Sequence, residues 1–389
     1  MRFIEIVFLV FLIVMSLDPT GYFLPIKDFL FAFLVVYGVL KCLLKHPVIK
    51  GFNILIICSV ILLPLWGILI ASAFGKLDDE QYAVAQVRSM FYILIFFFMI
   101  SIRVEVLLKM FWINGCVLAI VTLLLFAYGQ YNEAFFNNVL YEIGMSSNNY
   151  KMAIDREFLG VKVNGLYFTT GSFIILAFIY NLYNYYGRFK IWLSVVLFLA
   201  MIFCGSRTPA LIQIFILCIY VYDKKVIGKF LTRLGVLIAI LSLVILTYSL
   251  ATEEDAHDVK YENYYSYITE ITKDSQSFIL GSGVGSTFKA AGNDNKRVAF
   301  TELSYMDVLR MYGVPVGIYF ILLFFYPIII GYKWAKDNLF YKRFFLGYFL
   351  FLILLGTNPL LLGSPGLTGL TIFMAIVNNP RCMFNRMIS

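Results

Sequence analysis

Long apolar runs dominate this chain and restrict the folds open to it. Residues 52–74 and 104–128 are two of about twelve such runs, and 61% of all residues are hydrophobic. A helix needs roughly 20 apolar residues to cross the hydrocarbon core of a bilayer. The runs do not alternate as the strands of a membrane barrel do, so helices are the way to satisfy their backbone groups in lipid. The sequence therefore predicts an all-α, polytopic integral membrane protein.

The predicted spans cover nearly the whole chain, which we treat as a single polytopic membrane domain, 1–389. No internal repeat or linker divides it. The predicted spans lie near residues 3–17, 27–44, 52–74, 89–102, 104–128, 165–186, 189–204, 208–222, 234–251, 304–332, 344–362 and 364–378.

Charged residues set the predicted orientation, because short loops rich in lysine and arginine stay in the cytoplasm. With the N-terminus inside, the cytoplasmic segments hold most of the basic residues. Of the 23 acidic residues they hold only Glu5, Glu105, Asp223 and Asp337. Both termini are then cytoplasmic, and the net charge of +8 is mainly a signal of membrane orientation. We therefore expect membrane lipids as partners and do not expect nucleic acid.

Two long segments lie on the outer side in this arrangement, at residues 129–164 and 252–303. Both are rich in tyrosine and asparagine, and long polar segments in compact proteins are usually functional or disordered. Aromatic rings stack on sugar rings while polar side chains bind the hydroxyls, so we interpret Tyr264 and Tyr265 as sugar-binding residues. The alternative is an aromatic belt at the membrane interface.

Arg207 stands in a predicted outer hairpin between two spans, within Gly205-Ser206-Arg207-Thr208-Pro209. An arginine at headgroup depth either snorkels to phospholipid phosphates or holds the phosphate of a lipid-linked substrate with its two-pronged guanidinium. Its position opposes the positive-inside pattern, which favours the substrate. Further outer cations repeat the theme and predict pyrophosphate binding by Arg88, Arg156, Arg297 and Arg310. For Arg310 the alternative is an ion pair with Asp307, three residues earlier on a helix.

Glu302 lies at the predicted boundary between the second long loop and the next span. Partial burial would raise its pKa towards that of a general base, whereas a position at a helix N-terminus would have the opposite effect. The glycine-rich stretch Gly281-Ser282-Gly283-Val284-Gly285 is either a plain tight turn or a set of backbone N–H groups for a phosphate. Six cysteines without CxxC spacing and two histidines favour neither a disulfide framework nor a metal site.

Three of these features resemble the superfamily of O-antigen polymerases and O-antigen ligases, which are bacterial envelope glycosyltransferases. They are Gly205-Ser206-Arg207-Thr208 entering a span, the glycine-rich turn, and TELSYMDVLRMYGVPVGIYF opening the next span. In ligases the last element typically begins His-Asn, with an aromatic residue three positions on and a glycine eleven positions on. Here Glu302 takes the histidine position, Tyr305 and Gly313 match, and Leu303 replaces the asparagine. The departure favours a polymerase.

The resemblance implies a GT-C-like membrane fold in the bacterial inner membrane and an enzyme without metal or other cofactor. The implied reaction is inverting glycosyl transfer at the periplasmic face, between a donor and an acceptor glycan that are both linked to undecaprenyl pyrophosphate. Glu302 and Arg207 are the implied catalytic residues, Tyr305 joins the sugar-binding set, and a chain-length regulator protein is an implied partner.

Two alternatives to a polymerase remain. One is an O-antigen ligase from the same superfamily. The other, from a different class, is a flippase or transporter of lipid-linked oligosaccharides, which would share the spans and the cationic pockets but would need no long outer loops.

Overall fold

The computed structural model describes the chain as a helical bundle with a small region outside it. It covers residues 2–18, 26–132, 153–158, 161–166, 169–203, 207–224, 254–293, 295–301, 303–335, 338–356 and 361–379. The helical class predicted from the apolar runs is confirmed. Among these residues the strands form two short antiparallel pairs.

The first half of the bundle contains α1 (Phe3–Leu17), α2 (Ile26–Lys45), α3 (Gly51–Ala73), α4 (Glu80–Met90), α5 (Ile95–Met99) and α6 (Val104–Tyr131). A 3-10 turn at Phe91–Leu94 joins α4 to α5. A hairpin of β1 (Ala153–Phe158) and β2 (Val161–Leu166) follows, and then α7 (Ser172–Tyr183), α8 (Lys190–Phe203) and α9 (Arg207–Lys224).

The second half begins outside the apolar bundle, with α10 (Glu254–Thr272), α11 (Ser275–Leu280) and a hairpin of β3 (Phe288–Ala290) and β4 (Lys296–Val298). The chain then returns to the bundle through α12 (Ser304–Tyr312), α13 (Val314–Trp334), α14 (Leu339–Gly356) and α15 (Ser364–Asn378).

Within the described residues, five helical stretches are long and apolar enough to cross a membrane, which indicates an integral membrane protein. They are Gly51–Ala73, Glu80–Met99, Val104–Tyr131, Val314–Trp334 and Leu339–Gly356. Four shorter helices, α1, α7, α8 and α15, are also apolar. The count of twelve spans remains a prediction, and the predicted span at 234–251 lies outside the described residues.

Two predicted spans are broken or shortened as helices in the structure. The run at 304–332 is divided into α12 and α13 by Gly313, whose φ of 76° interrupts the helix. The run at 165–186 is helical only from Ser172, because residues 161–166 pair with β1 instead. Both differences arise from tertiary contacts that an apolar run does not encode.

The centre of the bundle is formed by α7 and α15. Nearly every residue of these two helices is buried, although both are shorter than a full membrane span. Aromatic rings join them to α14: Phe173 stacks on Phe351 at 5.7 Å and Tyr348 stacks on Phe373 at 4.0 Å between ring centroids. Buried aromatic pairs of this kind contribute about 0.5–1.5 kcal/mol each beyond their buried area.

Polar contacts at the helix ends agree with the predicted alternation of sides. Each of several long-range contacts joins two segments that the charge pattern assigns to the same side. On the predicted cytoplasmic side Arg343 pairs with Asp223 at 2.6 Å, Lys41 donates to Ser101 O and Lys50 donates to Val377 O. On the predicted outer side Arg88 pairs with Asp28, Thr170 donates to Ser16 O and Thr287 donates to Asp78.

Candidate functional site

An open groove of about 910 Å³ lies outside the apolar bundle, among the connection after α3, the helix α10 and the β3–β4 hairpin. All three belong to the predicted outer side. Its lining consists mainly of charged, hydroxyl-bearing and tyrosine side chains, including Lys76, Asp78, Tyr261, Glu262, Tyr265, Ser266, Thr269, Glu270, Lys273, Thr287, Lys289 and Arg297. The groove thus combines cations with groups that bind sugar hydroxyls.

One face of α10 supplies much of the lining. Glu262, Ser266 and Thr269 are spaced three or four residues apart, so they share one side of the helix, and Lys273 follows directly after the last helical residue. On the adjoining side the hydroxyls of Tyr261 and Tyr265 lie 2.7 Å apart. The outward polar face is possible because α10 buries a narrow stripe, which includes Tyr267 and Ile271, against β3 and its neighbours.

Arg297 lines the groove and is paired in this structure. Its Nη2 donates to Asp78 Oδ2 at 3.1 Å, and its Nε donates to Thr287 Oγ1 at 2.9 Å. The Thr287 hydroxyl above all, together with the Thr287 N–H and Arg297, lowers the pKa of Asp78. A carboxylate therefore already occupies the phosphate-binding position predicted for Arg297.

The glycine-rich turn at 281–285 is a tight structural turn. Gly281, Gly283 and Gly285 all have positive φ, and a Cβ on Gly283 would lie 2.4 Å from Ala71 N in α3. The backbone N–H groups of residues 281–284 donate to Ser277 O, Arg310 O, Met311 O and Gly67 O. These four N–H groups are used within the protein, which favours the plain-turn interpretation over a phosphate cradle.

Arg310 lies behind the wall of the groove. Its side chain is 1% exposed, Nη1 donates to Ser286 Oγ at 2.7 Å and Nη2 donates to Ala299 O at 2.6 Å. Its Nη2 also lies 4.0 Å from Asp307 Oδ1, the i,i+3 ion pair that the sequence offered as the alternative. In this arrangement Arg310 does not reach the groove.

Asp307 and Tyr267 form a buried polar network beside Arg310. The Tyr267 hydroxyl donates to Asp307 Oδ1 at 2.5 Å, and the backbone N–H of Thr301 lies 3.3 Å from Asp307 Oδ2. The helix α12 precedes α13, and the stretch that is long and apolar enough to cross a membrane is Val314–Trp334, so this network lies outside that stretch although the sequence placed Asp307 within a span. Burial raises the pKa of Asp307 to about 7, although Arg310, Tyr267 and Thr301 act in the opposite direction.

Sequence reasoning did not identify this network. In the sequence Asp307 stands out only as an ion-pair partner of Arg310, and nothing distinguishes Tyr267 from the other tyrosines of its segment. The sequence signal for Asp307 was its position, together with Arg310, in an otherwise apolar run, where ionisable residues are candidates for function. No local pattern marks Tyr267, which lies 40 positions from its partner.

Arg88 and two of the predicted sugar-binding tyrosines have other surroundings. Arg88 pairs with Asp28, which also accepts a hydrogen bond from Tyr92 at 3.1 Å, and Arg88 is not part of the groove lining. Tyr264 is exposed next to Tyr265, with ring centroids 6.3 Å apart. Tyr305 faces the bundle, where its hydroxyl donates to Leu352 O at 2.8 Å.

The remaining predicted site residues are only partly described. Arg207 is the first residue of α9, and Arg156 pairs with Val163 in the first hairpin. The side chains of these two arginines, and Glu302 altogether, lie outside the described residues. The structure thus brings Arg297 and Tyr265 together in one groove, and the roles predicted for the whole set remain predictions. Among the described residues no group of three or more His, Cys, Asp and Glu side chains is arranged to hold a metal ion.

Comparisons with protein-family models, with curated proteins and with solved structures find no match to this chain. Its function has to be argued from its own residues.

Proposed function

We propose that this protein is a surface-polysaccharide polymerase of the O-antigen type, acting at the periplasmic face of the bacterial inner membrane. It joins oligosaccharide repeat units carried on undecaprenyl pyrophosphate. The observation that supports this proposal is the groove outside an apolar helical bundle, in which Lys76, Lys289 and Arg297 lie with Tyr265 and the polar face of α10. Cations suit a pyrophosphate, and tyrosines with carboxylates suit a glycan.

The proposed reaction is a single inverting displacement. A hydroxyl of the acceptor glycan attacks the anomeric carbon of the donor glycan, and the bond from that carbon to the pyrophosphate oxygen breaks. The proton of the hydroxyl passes to Glu302, and the pyrophosphate leaves with the bonding electron pair, still attached to undecaprenol. Preorganised cations such as Arg207 and Arg297 stabilise the growing negative charge of the leaving group. Electrostatic stabilisation of this kind is commonly the largest contribution to catalysis.

Purified protein tests the proposal directly. Lipid-linked repeat units are extracted from a strain that lacks this chain, and the protein in detergent is incubated with them in the presence of a metal chelator. We expect a ladder of longer glycans, still linked to undecaprenyl pyrophosphate. Absence of elongation with folded protein and intact repeat units would overturn the assignment. A detergent assay has no membrane to cross, so elongation there also excludes a pure flippase.

Deletion in the native strain separates the alternatives. Loss of a polymerase leaves lipopolysaccharide with core plus one repeat unit on a gel. Loss of a ligase leaves bare core, and loss of a flippase also leaves no repeat. Accumulated long polymer on undecaprenyl pyrophosphate would identify the ligase, because polymerisation precedes that transfer.

A further inference from the structure

The β3–β4 hairpin is closed at its base by one buried guanidinium. The chain enters the hairpin after Ser286 and leaves it at Ala299. Arg310 Nη1 donates to Ser286 O at 3.2 Å and to Ser286 Oγ at 2.7 Å, while Nη2 donates to Ala299 O at 2.6 Å. Two nitrogens of one planar group therefore hold both ends of the hairpin.

The remaining surroundings of Arg310 keep the guanidinium in this place. The ring of Phe288, in β3, lies 4.7 Å from the guanidinium carbon, and Asp307 Oδ1 lies 4.0 Å from Nη2. The backbone carbonyl of Arg310 accepts from Ser282 N at 2.8 Å, which ties the glycine-rich turn to the same residue. A buried charge with several such partners is costly to move.

The hairpin carries two cations of the groove. Lys289 in β3 and Arg297 in β4 are directly paired in the sheet register, and both line the groove. The spacing between them and the face of α10 depends on where the base of the hairpin lies. That base is defined by the two ends that Arg310 binds.

We propose that Arg310 is a positioning residue for the groove: it acts through Ser286 and Ala299 to set the β3–β4 hairpin, and it does not itself bind the substrate. This inference rests on the proposed function in one respect, that the hairpin cations Lys289 and Arg297 hold the anionic part of the substrate. Arg310, which the sequence predicted to bind phosphate directly, therefore has a different role from Arg297, which lines the groove.

Hydrogen exchange tests the positioning without any ligand. Arg310→Lys keeps the charge, but one ammonium cannot reproduce a fork that reaches both ends of the hairpin. We expect amide exchange in residues 286–299 to become about 10-fold faster or more, while the bundle helices α7 and α15 keep their protection. A tenfold change corresponds to about 1.4 kcal/mol of local opening.

Arg343→Lys is the matched control for this measurement. Arg343 also donates two hydrogen bonds, to Asp223 at 2.7 and 2.6 Å, but it does so between other helices of the bundle. Its substitution leaves exchange in the hairpin unchanged if the effect of Arg310 is local. Equal exchange of residues 286–299 in Arg310→Lys and the unsubstituted protein would overturn the proposal.

Binding measurements with inorganic pyrophosphate distinguish a positioning role of Arg310 from direct contact between Arg310 and the anion. Affinity is measured by calorimetry in detergent for the unsubstituted protein, Arg310→Lys, Arg297→Ala and the double variant. We expect Arg310→Lys to weaken binding about 10-fold, and to have a smaller further effect once Arg297 has been removed, because one of the two cations through which Arg310 acts is then absent. Effects of the two substitutions that add independently would show that Arg310 contacts the anion itself, and would overturn the proposal.

Ser286→Ala tests the proposal even if Arg310→Lys does not fold. Ser286→Ala removes one acceptor of the guanidinium and leaves the Ser286 carbonyl in place, so we expect a smaller, local rise of exchange at the same residues. No change there would contradict the proposal. If the unsubstituted protein does not bind pyrophosphate, the ligand assignment of the groove fails, and the exchange measurements still decide whether Arg310 positions the hairpin.

Discussion

Arg297 and Asp78 form an ion pair at the mouth of the groove, with Nη2 and Oδ2 3.1 Å apart and side chains that are 61% and 40% exposed. An exposed pair of this kind contributes little to stability, so an incoming anion can exchange places with the carboxylate at small cost. Asp78 is therefore the competitor that any phosphate has to displace from Arg297.

This competition predicts opposite effects for the two partners. Asp78→Asn keeps the size of the side chain and removes its charge, and we expect inorganic pyrophosphate to bind about 2- to 5-fold more tightly, the range of an exposed ion pair. Arg297→Ala is expected to weaken binding, with a smaller dependence on salt concentration because one cationic contact is lost. Calorimetry at low and high salt measures both effects. Weaker binding by Asp78→Asn would show that Asp78 supports the site instead.

The apolar runs predicted most helices of the bundle well. The bounds of α1 and α15 agree with the predicted spans, because a long apolar run with few polar interruptions leaves the backbone only the helix in lipid. The break at Gly313 was not predictable in this way. It depends on the close approach of Ile279 O, 2.3 Å from where a Cβ on Gly313 would lie, and so on a partner 34 positions earlier.

The candidate site was predicted in outline only. Residue types identified the outer cations, and Arg297 does line a groove with Tyr265. The chemistry of a side chain does not specify its neighbours, however. Arg310 and Arg297 look alike in sequence, yet one is enclosed by Ser286 and Ala299 and the other is at the surface. Only the folded arrangement of α10, α12 and the hairpin distinguishes them.

The orientation in the membrane is tested with reporter fusions. From the bias of basic residues we expect fusions after residues 45, 228 and 338 to report the cytoplasm, and fusions near 145 and 275 to report the periplasm. Paired alkaline phosphatase and fluorescent-protein reporters at each site give reciprocal signals. A cytoplasmic signal near 275 would place the groove on the wrong side for a lipid-linked glycan and would contradict the proposed function.

Arg207 is expected to need its guanidinium and not merely its charge. If the residue engages two oxygens of a pyrophosphate, Arg207→Lys loses a fork that an ammonium cannot form, and polymer length falls sharply, as it does in Arg207→Ala. Gel profiles of lipopolysaccharide at matched protein levels measure the effect. Full-length polymer in both variants would reduce Arg207 to an anchor for membrane phosphates.

Glu302 is expected to be the base that accepts the proton of the attacking hydroxyl. Glu302→Gln is nearly isosteric but cannot accept that proton, and general-base catalysis typically contributes about 100- to 10,000-fold in rate. We therefore expect turnover to fall within this range while pyrophosphate binding is retained. The in vitro assay with lipid-linked repeat units measures turnover. Near-normal turnover would leave stabilisation of the leaving group by the arginines as the main source of catalysis.

Asp307 predicts a pH dependence of stability with an unusual sign. Its pKa in the folded protein is raised to about 7 by burial, whereas an aspartate in an unfolded chain titrates near about 3.9. Between these two values the folded state binds the proton more tightly than the unfolded state does. The free energy of unfolding therefore rises as pH falls from about 7 towards about 4, by up to about 1.4 kcal/mol per pH unit. This contribution is lost as pH rises through about 7. Burial raises the pKa of Tyr267, so the hydroxyl that contacts Asp307 keeps its proton throughout this window. Asp307→Asn removes the titration and keeps the shape, so its melting temperature in detergent should vary less between pH 5 and pH 8 than that of the unsubstituted protein. An identical pH profile for the two proteins would show that Asp307 stays ionised beside Arg310 across this range.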